Sequence, residues 1–160
     1  MGMFFLKGGT MRIRKAEAGD ISAWMQVLHL VEQYFPGLCP EEYGKGLEES
    51  IGREEALVAE ENGILGMAAF SLSRGEIEFL AVHPAARRRG VAGELLKHIL
   101  AGFPEGRKIT VETYREGDPL GTAARALYQA MGFSPGPLTE NFGYPCQRWE
   151  YEKKQPLPRE

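Results

Sequence analysis

Residues 79–93 read Phe79-Leu80-Ala81-Val82-His83-Pro84-Ala85-Ala86-Arg87-Arg88-Arg89-Gly90-Val91-Ala92-Gly93. An apolar run ends at His83-Pro84 and three arginines follow. Gly90 then opens a segment in which Val91, Leu95, Leu96 and Ile99 share one helical face. The pattern predicts a strand, a basic turn and an amphipathic helix. A helix N-terminus carries amides without intrahelical partners and the positive end of the helix dipole, so it binds anions. Gly90 permits close backbone approach, Ala92 and Gly93 keep the surface small, and arginines add charge-assisted hydrogen bonds. Residues 87–93 therefore read as a cradle for a pyrophosphate. The competing reading is a solvated charge cluster ahead of an ordinary helix. A Walker loop and the Gly-x-Gly-x-x-Gly fingerprint are both absent from this stretch.

The flanking sequence alternates strand and helix signals. Met11 to Lys15 reads as a strand, and Asp20 as the N-cap of a helix carrying Ile21, Trp24, Met25, Leu28 and Val31. Pro36-Gly37 stops that helix, and Pro40 starts another with Leu47 and Ile51 inward. Strands follow at 56–59, 64–72 and 76–82, joined by turns at Asn62-Gly63 and Arg74-Gly75. A strand at 108–114, a helix at 123–131 and a closing strand at 142–152 complete the pattern. Early strands and later helix–strand units predict a mixed sheet with helices on both faces. Residues 1–10 read as a flexible extension, 11–152 as one domain, and 153–160 as a polar tail.

The bulk properties bound the function. The 160 residues are 43% apolar and 26% charged, with a net charge of −3. That balance gives no reason to expect nucleic acid as a partner, and the basic cluster is local, as a small anion requires. Cys39 and Cys146 are far apart and form neither a disulfide framework nor a metal motif. No apolar stretch reaches membrane-spanning length, so the cytoplasm is the expected location.

Arg87-Arg88-Arg89-Gly90-Val91-Ala92 resembles the Gln/Arg-x-x-Gly-x-Gly/Ala motif of the GNAT superfamily of N-acetyltransferases. Ala124-Arg125-Ala126-Leu127-Tyr128-Gln129-Ala130-Met131-Gly132-Phe133 resembles that family's later Ala-x-x-Leu-Tyr-x-x-x-Gly-Phe block. The two stand in family order, and the resemblance spans roughly residues 11–150. It implies a mixed, largely antiparallel α/β sheet of six or seven strands, splayed between the fourth and fifth. It also implies acetyl-CoA as cosubstrate, no metal, and direct transfer to an amine. In that scheme Leu80, Ala81 and Val82 offer main-chain groups to the pantetheine and thioester. Arg87, Arg88, Arg89, Gly90, Val91, Ala92 and Gly93 hold the pyrophosphate. Tyr128 sits near the coenzyme sulfur and protonates the departing thiolate. The family often places Asn seven residues before this tyrosine; here the position is Gly121.

Three carboxylates are candidates for the general base. Glu112 lies where a ribosomal-protein acetyltransferase subgroup has its base, and Glu76 where the histone acetyltransferase subgroup has one. The two-residue period puts Glu76 and Glu78 on one face, where each would raise the other's pKa. All three equally read as solvent-facing strand residues, and a water chain is a further route. On the acceptor side, residues 41–61 hold eight Glu against Lys45 and Arg53. With Tyr34, Phe35 and Tyr43, that acidic rim would suit a cationic amine with an apolar body, though it equally reads as a solvated helix face; a small primary amine is the expected acceptor because the sequence shows no peptide-docking surface. The alternatives are a protein N-terminal or lysine acetyltransferase and a non-catalytic coenzyme-binding module; homodimerisation stays open.

Overall fold

The computed structural model describes residues 11–153. The expected extension at 1–10 and the tail at 154–160 lie outside the described residues. Seven strands form one sheet: β1 (Arg12–Lys15), β2 (Ala56–Glu60), β3 (Ile64–Ser71), β4 (Glu76–Val82), β5 (Lys108–Tyr114), β6 (Ser134–Asn141) and β7 (Tyr144–Glu152). Their spatial order is β1-β2-β3-β4-β5-β7-β6. All neighbours are antiparallel except β4 and β5. That parallel pair needs a crossover, which the helix after the basic turn provides.

Four helices cover the two faces. α1 (Ile21–Val31) and α2 (Pro40–Gly52) bury Trp24, Leu28, Val31 and Leu47 against Val58, Met67, Phe79 and Ala81. α3 (Val91–Gly102) and α4 (Thr122–Ala130) bury Leu95, Leu96, Ile99 and Tyr128 against Ala68, Ile77, Ile109, Val111 and Trp149 on the opposite face. Each large apolar side chain so buried contributes about 1.5–3 kcal/mol.

The parallel pair is short. β4 and β5 meet only at Glu76–Thr110 and Ile77–Val111, and beyond those positions they diverge. The splay between the fourth and fifth strands is therefore present. On its other side β4 stays paired with β3 as far as Val82. Its register shifts between Ala69–Phe79 and Phe70–Ile77, leaving Glu78 as an extra residue.

Some local expectations need correction. Asp20 stands at the N-cap of α1 as expected, but its carboxylate bonds no amide of that helix; it accepts the Glu17 N–H at 2.7 Å and holds Arg14. The stretch 134–141, with Pro135, Gly136 and Pro137, is an edge strand, where missing N–H donors are tolerated. The expected closing strand at 142–152 starts at Tyr144, because Phe142 (φ 53°) and Gly143 (φ 77°) form the turn of the β6–β7 hairpin. Lys153, expected to open the tail, belongs to the domain: its ammonium donates to the carbonyls of Leu100, Ala101 and Phe103 at the end of α3.

Candidate active site

The divergence of β4 from β5 opens a cavity of about 820 Å³. Leu80, Glu76, Glu78, Arg87, Glu112 and Tyr128 line it; Ala81, Val82 and residues 88–93 do not. The splayed strands, the segment between α1 and α2 with the start of α2, the β6–β7 hairpin, and the loop after β5 with α4 all contribute to its lining.

The main chain of β4 is the first functional element. The His83 N–H donates to Leu65 O, 2.8 Å away. Antiparallel pairing alternates, so Ala81 and Phe79 also turn their peptide groups to β3, whereas Leu80 and Val82 direct theirs the other way. That way lies the gap left by β5. Leu80 and Val82 thus present a free strand edge toward that gap. Ala81 does not: its peptide groups face β3 and its side chain is buried against the α1–α2 side. Glu78 is exposed as a residue although its side chain is only 25% exposed, so its main chain supplies the opening at the bulge.

The second element is the turn into α3. Gly90 is the N-cap at φ 78°, a left-handed conformation that favours glycine. The first intrahelical donor is Glu94, bonded to Gly90 O at 3.1 Å, which leaves the amides of Val91, Ala92 and Gly93 for a ligand. Arg88, at φ 67°, makes no ion pair among the described residues. The other two arginines face elsewhere. Arg89 is paired with Glu61. Arg87 lies over the Tyr34 ring at 5.1 Å, and its guanidinium draws that phenol below its usual pKa. The groups this turn leaves uncommitted are thus the first-turn amides and Arg88.

Tyr128, on α4, is 4% exposed and reaches the cavity wall. Its hydroxyl has no protein hydrogen-bond partner among the described residues, and burial pushes its pKa well above that of an ordinary phenol. The ring packs on Phe133 with centroids 5.5 Å apart. A protonated phenol held at the edge of the splay is able to donate a proton there.

The three glutamates separate by their partners. Arg74 binds both Glu76, at 3.1 Å, and Glu78, so these two share a face as expected, but with a cation between them that offsets their repulsion. Each must loosen that guanidinium to accept a proton. Glu112 is exposed and lines the cavity, and its carboxylate makes no ion pair or hydrogen bond among the described residues. Its charge, with burial as the larger cause, pushes the Cys146 thiol pKa up.

Aromatic rings form the far wall. Phe79 packs on Phe35 at 4.9 Å and edge-on to Tyr43 at 5.1 Å; Tyr43 accepts the Trp24 indole N–H at 2.8 Å. The Tyr114 hydroxyl donates to the Tyr34 carbonyl, spanning from β5 to the α1–α2 segment, and burial raises its pKa to about 12. Gly37, at φ 85°, lies directly under the Phe142 side chain, where any Cβ would overlap it. These two contacts tie the α1–α2 segment to β5 and to the hairpin.

Gly121 has a structural reason. A Cβ there would come within 2.5 Å of the Arg125 guanidinium and 3.0 Å of Tyr114. Arg125 fills that space and donates to the carbonyls of Tyr114, Arg115 and Asp118 at 3.0, 2.7 and 3.0 Å. It thereby shapes the loop after β5, a role its place in the α4 block did not reveal.

Known proteins agree with this architecture. Residues 52–135 match the acetyltransferase (GNAT) domain model. The chain belongs to the GNAT acetyltransferase family. A GNAT-family acetyltransferase from Bacillus cereus superposes with a TM-score of 0.72 at 22% identity, covering 92% of this chain and all (100%) of the other. The yncA protein of Salmonella typhimurium, solved with its cofactor acetyl-CoA, gives 0.70 at 18%, covering 94% and 98%. An Arabidopsis thaliana protein in complex with the bisubstrate analogue CoA-Ac-MVNAL gives 0.70 at 17%, covering 89% and 99%. At these identities the likeness is one of fold. No curated protein matches the chain. Among the described residues, no helix of this GNAT enzyme is long and apolar enough to cross a membrane.

Proposed function

We propose that this GNAT enzyme transfers the acetyl group of acetyl-CoA directly to the primary amine of a small molecule. The observation that carries the reading is that one and the same cavity is lined by β4, Tyr128, Glu112 and the aromatic wall. The amides and carbonyls of Leu80 and Val82 hold the pantetheine and orient the thioester. The amides of residues 91–93 hold the pyrophosphate. An amide aimed at the thioester oxygen stabilises the charge that develops there.

Glu112 takes a proton from the amine as its nitrogen attacks the thioester carbon. The C–N bond forms, the C–S bond breaks, and Tyr128 gives its proton to the departing sulfur. Both side chains then re-equilibrate with water. Glu112 suits the task because no cation must be displaced when it accepts a proton. The contacts of Tyr114 with Tyr34 and of Phe142 with Gly37 favour a compact acceptor over an extended peptide. The protein-acceptor reading therefore ranks second.

The test is release of free coenzyme thiol from acetyl-CoA with small amines and with peptides bearing the same N-terminal residue. Turnover of the small amines, with the peptides at least about tenfold slower in kcat/KM, supports the reading. Peptides turning over as well or better overturn it.

A further inference from the structure

We propose that the acceptor is a zwitterion, an amino acid with an apolar or aromatic side chain, and that Arg148 binds its carboxylate. The proposal rests on the acetyl-transfer reading above and names the substrate class of that same site.

Arg148 lies on β7 directly across from Glu112 on β5. Both line the cavity, yet the two form no ion pair within 4.0 Å. The acidic neighbour on the same face of β7, Glu150, is already held by Lys108 at 3.3 Å. The other arginines provide the contrast. Arg12, Arg14, Arg53, Arg74 and Arg89 hold carboxylates. Arg107, Arg115 and Arg125 hold carbonyls, and Arg87 covers Tyr34. Among the described residues only Arg88 and Arg148 lack such a partner. Arg88 stands at the anion-binding turn. Arg148 stands in the acceptor cavity.

An arginine and a glutamate thus stand opposite each other on strands whose main chains run about 5 Å apart, and their charged groups are not committed to each other. A molecule carrying an amine and a carboxylate on neighbouring atoms complements that pair. Its amine faces Glu112, where the proton must leave, and its carboxylate receives the planar fork of Arg148. The side chain then lies toward Phe35, Tyr43 and Phe79. A simple cationic amine would satisfy Glu112 and leave Arg148 without a counter-charge.

The experiment compares matched probes: phenylalanine, methionine and leucine, each with its carboxamide and its decarboxylated amine. Wild-type kcat/KM should favour at least one acid over its amide and amine by about tenfold or more, the scale of a charge-assisted pair. In Arg148→Gln that preference should fall to within about twofold, mainly through a higher KM for the acid. Arg148→Lys should keep part of it. Arg148 is an exposed strand residue, so the variants should fold, and a melting curve checks that. Equal turnover of acids and amides by the wild type overturns the carboxylate anchor and leaves acetyl transfer standing. A preference that survives Arg148→Gln also overturns it. Acetylation of none of the probes overturns this proposal, while amines outside the set acetylated in the same assay would keep the transferase reading.

Discussion

Replacing Tyr128 by Phe separates the chemical role of the hydroxyl from its structural one. The ring is 4% exposed and keeps its packing on Phe133 after the change, because phenylalanine has the same ring. The hydroxyl has no protein partner among the described residues, so its loss breaks no internal hydrogen bond. Stability should stay level or rise by no more than about 1 kcal/mol. Acetyl-CoA binding should change by less than about threefold, since we assign it to the main chain of β4 and the α3 turn. Turnover should fall about 100- to 10,000-fold, or ~3–5 kcal/mol in the barrier, the usual range for a general acid. Burial raises the folded pKa of this group, so the phenol stays protonated where an ordinary tyrosine loses its proton, near pH 10. The wild-type rate should therefore show no alkaline fall from this group below that pH. Melting temperature, coenzyme affinity by calorimetry and steady-state kinetics are the three readouts. Full turnover in the variant would refute the acid assignment. A lost rate with an equal loss of coenzyme affinity would make Tyr128 a binding residue only.

Other perturbations address other parts of the account. Glu112→Gln should lower kcat by about 100-fold or more without changing acetyl-CoA affinity, while Glu76→Gln should cost less than about tenfold; the reverse order in steady-state kinetics would move the base to β4. Gly121→Asn should destabilise the fold by about 2–4 kcal/mol, because its side chain overlaps the Arg125 guanidinium and its carbonyl bonds, and denaturant melts of the single and the Gly121→Asn/Arg125→Ala double variant should show partial rescue. Gly90→Ala meets no neighbour within 4 Å but must adopt φ 78°, so chemical denaturation should show a loss of about 1–2 kcal/mol, together with weaker acetyl-CoA binding in calorimetry. The Arg14 hydrogen bond holds the Asp20 carboxyl below its usual pKa. That stability is present above about pH 4 and is lost as pH falls through the lower folded value; Arg14→Met should flatten the acid limb of a stability–pH curve.

The local structure that frames the candidate site was legible in the sequence. Gly90 after three arginines marks a turn into a helix because glycine adopts the left-handed conformation at little cost. The Leu127-Tyr128 pair marks the helix that faces the splay. The parts that depend on pairing were not. The bulge at Glu78 breaks the two-residue period without any marker in Glu76-Ile77-Glu78-Phe79, so Ile77 and Phe79 pack on opposite faces. The commitment of Glu76 and Glu78 to Arg74 arises from the β3–β4 hairpin. Arg148 meets Glu112 only through the β5–β7 register. The Pro-Gly-Pro run of β6 reads as loop because the sequence does not say that its missing donors face an open edge. Arg87 departs from the cradle because Tyr34, more than fifty positions earlier, offers it a ring.

Residue-resolved amide hydrogen exchange, with and without acetyl-CoA, tests the central claim most directly. In the free protein the amides of Leu80 and Val82, turned away from β3, and those of Val91, Ala92 and Gly93, before the first bond of α3, should exchange fast. Acetyl-CoA should protect these two groups together and leave Phe79 and Ala81, already bonded to β3, little changed. Saturating acetyl-CoA that protects neither group would contradict the assignment of the splayed strand and the α3 turn as the donor site.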